Sequence, residues 1–345
     1  MKIVADKAIP FLKGVFEPYA EVLYKSGEAI SPDDVRDADA LITRTRTRCD
    51  ADLLEGSSVK LIASATIGLD HVDLQWCRDH GIEVMNAPGC NAGGVVQYVM
   101  AAVYGLAERK AWNLGNMTMG IVGVGNVGGR LAALAEKLGF KVLRNDPPRA
   151  LAEGGEQFCD LDYLLENSDI VTMHVPLQDD TIGMADERFF SKMKKGAMFI
   201  NASRGEVVDE KALVGAIPGL GAVVLDTWNH EPGINAELVG MVDIGTPHIA
   251  GYSYQGKQNG TASAVRQVAS CLGISCLLDF YPPTEDPAKE VEKLELAGKS
   301  QSEITALILN NYPIFTDDAL FREGFGHFED LRKGYDYRRE FDLNI

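Results

Sequence analysis

The sequence predicts an α/β protein made of two doubly wound parallel-sheet domains and a small C-terminal domain that is either α/β or helical. Short runs rich in β-branched residues alternate with helical patterns, as in sheets whose parallel strands are joined by crossover helices. A second series of such units begins at residue 118, which indicates a second domain. Beyond Pro282-Pro283 the chain becomes charge-rich and helical and has no glycine-rich loop, which indicates a third.

Four apolar runs in the N-terminal third have the length of strands. Each is short and bounded by polar or turn-forming residues, which favours a buried strand over a helix. The predicted strands of this series are residues 2–5, 40–43, 61–65 and 83–85.

A longer apolar stretch, residues 95–109, predicts a helix that leads into the second series. A glycine-rich turn and a second helix, residues 126–139, follow the first strand of that series. The predicted strands are residues 119–122, 141–143, 170–174, 198–201, 223–226 and 242–244. The predicted domains are residues 1–95 with 254–283, residues 96–253, and residues 284–345.

Composition excludes several classes of partner. The formal net charge of -17 disfavours nucleic acid and anionic membranes, because both require a basic face. The N-terminus lacks the uninterrupted apolar core of a secretory signal, and the apolar stretch at 95–107 is too short to span a bilayer. The 6 cysteines show no CxxC spacing, so a cytoplasmic protein with reduced thiols is expected.

The turn Gly123-Val-Gly125-Asn-Val-Gly128 lies between an apolar strand and a helix. Such a turn is a dinucleotide fingerprint only in this context. The first glycine permits a tight turn, the second a close approach of the pyrophosphate, and the third close packing of helix on strand. The helix N-terminus offers N–H groups to the phosphates.

Asp146, at the end of the next strand, can accept hydrogen bonds from the adenosine ribose and would repel a 2′-phosphate. It therefore favours NAD over NADP. Arg144 and Arg149 argue the other way, since either could hold the extra phosphate. A glycine turn without a ligand and a methyl-donor nucleotide site are the other interpretations.

Three strand-end segments carry groups suited to oxidation of an alcohol. His248 could take the hydroxyl proton, and Arg204 could pair bidentately with a carboxylate. Glu231 could hold a histidine, and His230 beside it is a rival base. Taken singly, Arg204, His248 and Glu231 also fit a surface arginine, a packed histidine and a helix N-terminal acid.

The segments GIVGVGNVGGRLA, MKKGAMFINASRGEVVDEKAL, NHEP and TPHIAGY resemble the D-2-hydroxyacid dehydrogenase family, over about residues 1 to 280. The resemblance implies a flavodoxin-like substrate domain and a Rossmann NAD domain. It also implies that Arg204 binds the substrate carboxylate, that His248 is the acid/base, and that Glu231 holds its tautomer. The cofactor-binding residues implied are Gly123, Gly125, Asn126, Val127, Gly128, Asp146, Val175, Ala202, Ser203, Asp226 and Gly251. His71 and His80 lack partners at metal spacing, so no metal is expected.

The substrate is expected to be a small phosphorylated 2-hydroxy acid. If residues 44–48 are extended, Arg44, Arg46 and Arg48 share one face and form a basic strip, although a solvated strand end is the alternative. The segments ATIGLDHVD, APGCNA and FEDLRKGYDYRRE resemble the branch of the family that acts on such a substrate. That resemblance implies substrate contacts from Thr45, Thr66 and Tyr252, and a homodimer formed by the C-terminal domain.

Two other functions stay open. One is a different D-2-hydroxyacid dehydrogenase, acting on 3-phosphoglycerate or on hydroxypyruvate and glyoxylate. The other is a corepressor-like protein that senses NAD(H) without turnover, because some relatives of this fold keep the catalytic groups. The acidic composition disfavours the second.

Overall fold

The computed structural model describes residues 1–345 and divides them into two compact units. The first unit comprises Met1–Asn91 and Ser253–Glu290, and the second comprises Ala92–Tyr252 and Val291–Ile345. Each unit is built on a parallel sheet of its own.

Strands and helices are numbered here in chain order. The strands are β1 Lys2–Asp6, β2 Glu21–Lys25, β3 Ala40–Thr43, β4 Leu61–Ser64, β5 Glu83–Met85, β6 Thr118–Val122, β7 Lys141–Asn145, β8 Ile170–Met173, β9 Met198–Asn201, β10 Ala222–Leu225, β11 Ile244–Gly245, β12 Glu292–Glu295 and β13 Phe341–Asn344. The helices are α1 Pro32–Val35, α2 Ala51–Leu54, α3 Leu74–Asp79, α4 Ala92–Arg109, α5 Asn126–Lys137, α6 Pro147–Glu153, α7 Leu161–Asn167, α8 Glu187–Lys192, α9 Glu210–Ala216, α10 Ala236–Met241, α11 Tyr254–Leu272, α12 Gln301–Asn311, α13 Ile314–Gly324 and α14 Phe328–Lys333.

The first unit contains a five-stranded parallel sheet in the order β2-β1-β3-β4-β5. This is the flavodoxin-like strand order. Successive residues of β1 face opposite sides: Ile3 packs in a cluster with Val265 of α11, whereas Val4 packs with Val35 of α1. Because both faces are covered, the central strands are continuously apolar.

The second unit contains a six-stranded parallel sheet in the order β11-β10-β9-β8-β6-β7. The chain leaves β6 towards β7 and later returns to the other side of β6 as β8, so the strand order reverses between β6 and β8. In open α/β sheets, ligands bind beyond the carboxyl ends of the strands at such a switch point. The glycine-rich turn follows β6, so it lies at this switch point. The predicted α/β class with two doubly wound sheets is confirmed.

Two layers of helices cover the second sheet. On one face Ile121 and Ile200 pack in a cluster with α4 and α5, and on the other Phe199 packs in a cluster with α8 and α13. The C-terminal residues contribute to both layers. They also form a two-stranded parallel sheet of β12 and β13, to which Gln97 donates a hydrogen bond at the carbonyl of Phe341 (2.8 Å).

The structure differs from the sequence interpretation at two kinds of element. Sequence reasoning did not identify β2, an edge strand whose residues are only partly buried and whose apolar pattern is therefore weak. It also did not identify β12 and β13, in which charged residues alternate with a few apolar ones. Val291–Ile345 packs with Ala92–Tyr252 in the second unit, and residues 284–345 as a domain of their own stay a prediction.

Candidate active site

The glycines of the turn after β6 meet three different surroundings. Gly123 has a φ of +85°, and a Cβ on it would lie 2.7 Å from the carbonyl carbon of His174. A Cβ on Gly128 would lie 2.0 Å from the carbonyl oxygen of Gly123, so helix α5 packs directly on the turn. A Cβ on Gly125 would meet nothing within 4 Å. Backbone is thus accessible at the start of α5, as a pyrophosphate requires.

Asp146 stands at the end of β7 and faces this turn. Its carboxylate accepts hydrogen bonds from the N–H of Val124 (2.8 Å) and the N–H of Arg149 (3.1 Å), and it caps α6. Arg144 pairs with Glu136 at 2.7 Å. The guanidinium of Arg149 binds Glu153 and the carbonyl of Val124. Because both arginines are engaged, the arrangement favours a ribose hydroxyl over a 2′-phosphate.

Residues with candidate catalytic groups follow three adjacent strands. Arg204 follows β9, Glu231 follows β10 and His248 follows β11. The carboxyl ends of parallel strands lie on one edge of the sheet, so the three loops emerge side by side. A Cβ on Gly205 would lie 2.0 Å from the carbonyl carbon of Trp228, which places the first loop in backbone contact with the second.

Asn201 shapes the loop that carries Arg204. Its side-chain oxygen accepts hydrogen bonds from the N–H (3.0 Å) and the hydroxyl (2.7 Å) of Ser203, and its amide donates to the carbonyl of Arg204 (2.8 Å). Sequence reasoning did not single out Asn201, although an asparagine two residues before the bonded N–H is the signature of an Asx-turn.

The imidazole of His248 is paired with Glu231. Nδ1 of His248 lies 2.8 Å from Oε2 of Glu231, and Oε1 accepts a hydrogen bond from the N–H of Trp228 (3.0 Å). A carboxylate at Nδ1 requires a proton there, so Nε2 carries the lone pair of the neutral ring. The pair is therefore arranged for proton transfer at Nε2.

The electrostatics of Glu231 favour the carboxylate. Burial raises the pKa of Glu231, but the charge and hydrogen bond of His248 and the N–H of Trp228 outweigh this effect, and its pKa is held below the ordinary 4.5. By contrast, burial lowers the pKa of His174 to about 3, because it disfavours the charged imidazolium, so this histidine stays neutral. His230, the rival base, is exposed and has a φ of +60°.

Asp226 is buried and turns its carboxylate into the loop that carries His248. It accepts hydrogen bonds from the hydroxyl of Thr246 (2.7 Å) and from the N–H groups of Ile249 (2.7 Å) and Ala250 (2.9 Å). Burial raises the pKa of Asp226, and these bonds oppose the rise. Thr246, which sequence reasoning did not single out, links this carboxylate to the hydroxyl of Tyr98 at 2.8 Å.

The remaining cofactor candidates lie in the second unit around these loops. Val175 follows β8, Ala202 and Ser203 follow β9, and Gly251 follows the loop of His248. Asn126 and Val127 are the first residues of α5.

The basic strip expected at residues 44–48 is not formed. Strand β3 ends at Thr43, and residues 45–46 form a turn, so the side chains do not alternate as they would in an extended strand. Arg44 pairs with the buried Asp6 (2.9 Å), Arg46 with Glu28 (3.6 Å) and Arg48 with Asp50 (2.5 Å). The three guanidinium groups are thus directed to separate carboxylates.

The other substrate candidates have the following surroundings. Thr45 is exposed at the tip of that turn, and the hydroxyl of Thr66 lies 2.8 Å from that of Ser64, both in the first unit. Tyr252, in the second unit, accepts a hydrogen bond from Arg332 at 3.2 Å.

Two family models match separate parts of this chain. A model of the D-isomer specific 2-hydroxyacid dehydrogenase NAD binding domain matches residues 96–250, and a model described as a domain of unknown function matches residues 287–344. None of the helices is both long and apolar enough to cross a bilayer.

Curated relatives match almost the whole chain. Erythronate-4-phosphate dehydrogenase of Bacteroides fragilis is 44% identical, over 99% of this chain and 97% of the relative. The protein of the same name from Escherichia coli O157:H7 is 42% identical, over 99% of this chain and 92% of the relative. Among solved structures, NAD+-bound 3-phosphoglycerate dehydrogenase of Entamoeba histolytica has a TM-score of 0.67 at 27% identity, over 81% of this chain and 97% of that chain.

We expect Gly128→Ala to abolish NAD binding, because the new methyl group would lie 2.0 Å from the carbonyl oxygen of Gly123 and displace the turn. Gly129→Ala, in the same helix, is the matched control, since its methyl group would meet only the carbonyl of Val124, at 3.5 Å. It should bind NAD normally and gain up to about 1 kcal/mol of stability. Titration with NADH, followed by fluorescence, measures both; equal affinity in the two variants would contradict the packing role of Gly128.

We expect Glu231→Gln to lower the free energy of unfolding at neutral pH. The loss should become smaller as the pH falls. A carboxyl group whose pKa is lowered by folding contributes stability above its unfolded pKa, here about 4.5, and loses that contribution as the pH falls through the folded pKa. The difference between wild-type and variant unfolding free energies should therefore narrow below pH 4.5. Urea unfolding from pH 7 to pH 3 measures it, with the exposed Glu237→Gln as control; a constant difference would contradict the prediction.

Proposed function

Because this chain belongs to the D-isomer specific 2-hydroxyacid dehydrogenases, among the erythronate-4-phosphate dehydrogenases, we propose that it oxidises 4-phospho-D-erythronate with NAD. The product is (R)-3-hydroxy-2-oxo-4-phosphooxybutanoate, and the reaction is a step in the synthesis of pyridoxal 5′-phosphate. The observation that carries this proposal is the 44% identity to such a dehydrogenase over 99% of the chain. That similarity includes residues 287–344, for which the general dehydrogenase model has no counterpart.

We assign the proton transfer to His248. Its Nε2 would accept the proton of the substrate 2-hydroxyl group, while Glu231 at Nδ1 stabilises the imidazolium that forms. NAD, when bound, would accept the hydride from substrate C2, the carbon atom that carries this hydroxyl group. Because Glu231 is ionised at neutral pH, it also keeps the proton of the neutral imidazole on Nδ1.

We assign the substrate carboxylate to Arg204. A guanidinium group can pair with a carboxylate through two parallel hydrogen bonds and can polarise the oxo group as it forms. Asn201 and Ser203 hold the backbone of this loop, which supports a preorganised position for the arginine. Thr45, Thr66 and Tyr252 remain our candidates for contacts to the rest of the substrate, with Arg44 and Arg46 as candidate charges for its phosphate.

We further propose a cytoplasmic homodimer. All 6 cysteines are free thiols, as expected in a reducing compartment. We assign the dimer interface to the C-terminal segment, which the curated relatives share and which lies outside the match to the NAD binding domain.

The purified protein should reduce NAD in the presence of 4-phosphoerythronate and hardly at all with unphosphorylated erythronate. Loss of hydrogen bonds to a charged phosphate should lower kcat/KM by at least about 100-fold, since each is worth about 1.5–3 kcal/mol. A panel that adds 3-phosphoglycerate with NAD, and hydroxypyruvate and glyoxylate with NADH, tests the other dehydrogenase functions. Equal rates with and without the phosphate would refute the proposed substrate, and NADH binding without any turnover would favour the NAD(H)-sensing function.

His248→Ala should lower kcat about 100- to 10,000-fold, the range for loss of a general acid/base group. His230→Ala is the control for the rival base, and we expect its kcat to stay within about twofold of wild type because the side chain is exposed. Steady-state rates of NADH formation measure both. If the order of the two effects were reversed, the base would be His230.

A further inference from the structure

We propose that Arg338 is a positioning residue for the loop that carries His248. Through Arg338, the C-terminal segment would take part in the reaction by fixing the base, without touching substrate or cofactor. The inference rests on the proposed function for its kinetic test, but its structural test is independent of any substrate. The loop concerned is residues 249–252, which directly follow His248 and are called here the post-histidine loop.

The guanidinium group of Arg338 is directed at the backbone of the post-histidine loop. Nη1 donates to the carbonyl of Ile249 (3.1 Å) and to that of Tyr252 (3.2 Å), and Nη2 donates to the carbonyl of Ala250. Nη2 also reaches the carbonyl of Gly94 in α4 at 3.0 Å. One side chain, remote in sequence, thus binds three of the four carbonyl groups in the loop.

The same loop is held from its other side by Asp226. The carboxylate of Asp226 accepts the N–H groups of Ile249 and Ala250, whose carbonyl groups point to Arg338. The N–H ends of the peptide dipoles therefore meet a negative charge and the carbonyl ends meet a positive one. Both charges favour the same orientation of the loop, and each lies within hydrogen-bonding distance.

His248 needs this support because of its backbone conformation. Its φ is +57°, in the left-handed region that a residue with a Cβ rarely adopts. Such a conformation costs about 1–3 kcal/mol and persists only where the surrounding structure over-determines it. Loss of the contacts that follow His248 would allow its backbone, and with it the imidazole, to move away from Glu231.

Packing alone does not explain a charged residue at position 338. The residue is only 9% exposed, and its Nε has no hydrogen-bond acceptor. Its guanidinium lies 4.1 Å from the ring centroid of Tyr312, and its charge opposes the rise that burial causes in the pKa of Asp317. An apolar side chain would fill this space without the cost of desolvating a charge, so the distinctive property of arginine here is its set of donors.

Arg322 provides a matched control within the same segment. It lies on α13, donates to the carbonyls of Val239 (2.7 Å) and Val242 (2.8 Å), and pairs with Asp318 at 2.9 Å. It therefore also fastens the C-terminal segment to the second unit through backbone carbonyls, but not to the post-histidine loop. Its loss should affect stability without affecting the position of His248.

The experiment compares Arg338→Met, Arg338→Lys and Arg322→Met in the full-length protein. We expect Arg338→Met to lower kcat about 10- to 100-fold, the effect of a small misplacement of a catalytic group, with KM and NADH affinity within about twofold of wild type. Arg322→Met should keep kcat within about twofold of wild type even if its Tm falls as far as that of Arg338→Met. Equal losses of kcat in the two variants would overturn the proposal.

Chemical rescue tests the donors directly. Guanidinium ions added to Arg338→Ala should raise kcat, whereas the same concentration added to Arg322→Met should not. If Arg338→Met and Arg338→Ala fail to fold, Arg338→Lys serves instead; its single ammonium group cannot reach all three carbonyls, so we expect a partial loss of kcat. A normal kcat in Arg338→Lys would count against the requirement for a forked donor.

Hydrogen exchange separates this inference from the proposed function. In the absence of substrate, the amides of Ile249 and Ala250 should exchange faster in the Arg338 variants than in wild type or in Arg322→Met. Unchanged exchange would overturn the positioning role. Faster exchange combined with a wild-type protein inactive on 4-phosphoerythronate would overturn the proposed substrate and leave the positioning role intact.

Discussion

The arrangement of the candidate active site depends on one buried carboxylate, that of Asp226. It stands directly after β10 and binds the hydroxyl of Thr246 and the N–H groups of Ile249 and Ala250. A buried charge is stable only when it is hydrogen-bonded, so the loop cannot leave the carboxylate without a large cost. This constraint fixes the position of the His248 backbone. The imidazole of His248 in turn contacts Glu231, which follows the same strand as Asp226.

Parallel topology turns this local constraint into a site. Strands β9, β10 and β11 are neighbours, so the loops with Arg204, Glu231 and His248 emerge on one edge of the sheet. The glycine turn emerges on that edge too, after β6. The candidate catalytic side chains, which are far apart in sequence, are thereby brought to one edge of the sheet. All three lie on loops, where the backbone is less restricted than in a helix or strand.

The C-terminal segment is in contact with this arrangement. Its strand pair and helices pack into the second unit, and the family model that matches it describes a domain of unknown function. Arg338 connects this segment to the backbone after His248 from the side opposite Asp226. Disruption of the segment would therefore also disturb the backbone that follows His248, since the two share one hydrogen-bonded network.

By itself, the sequence determined the features that are encoded locally: the two parallel sheets, the different tasks of Gly123, Gly125 and Gly128, and the strand-end positions of Arg204, Glu231 and His248. Periodicity, turn chemistry and motif order are readable over a few residues, which is why these could be predicted. Only the tertiary structure decided that residues 44–48 turn and that their arginines meet separate carboxylates. It alone also decided that Arg338 is buried against the post-histidine loop. Such contacts join residues far apart in sequence, and no local pattern records which partner a charged side chain will meet once the chain has folded.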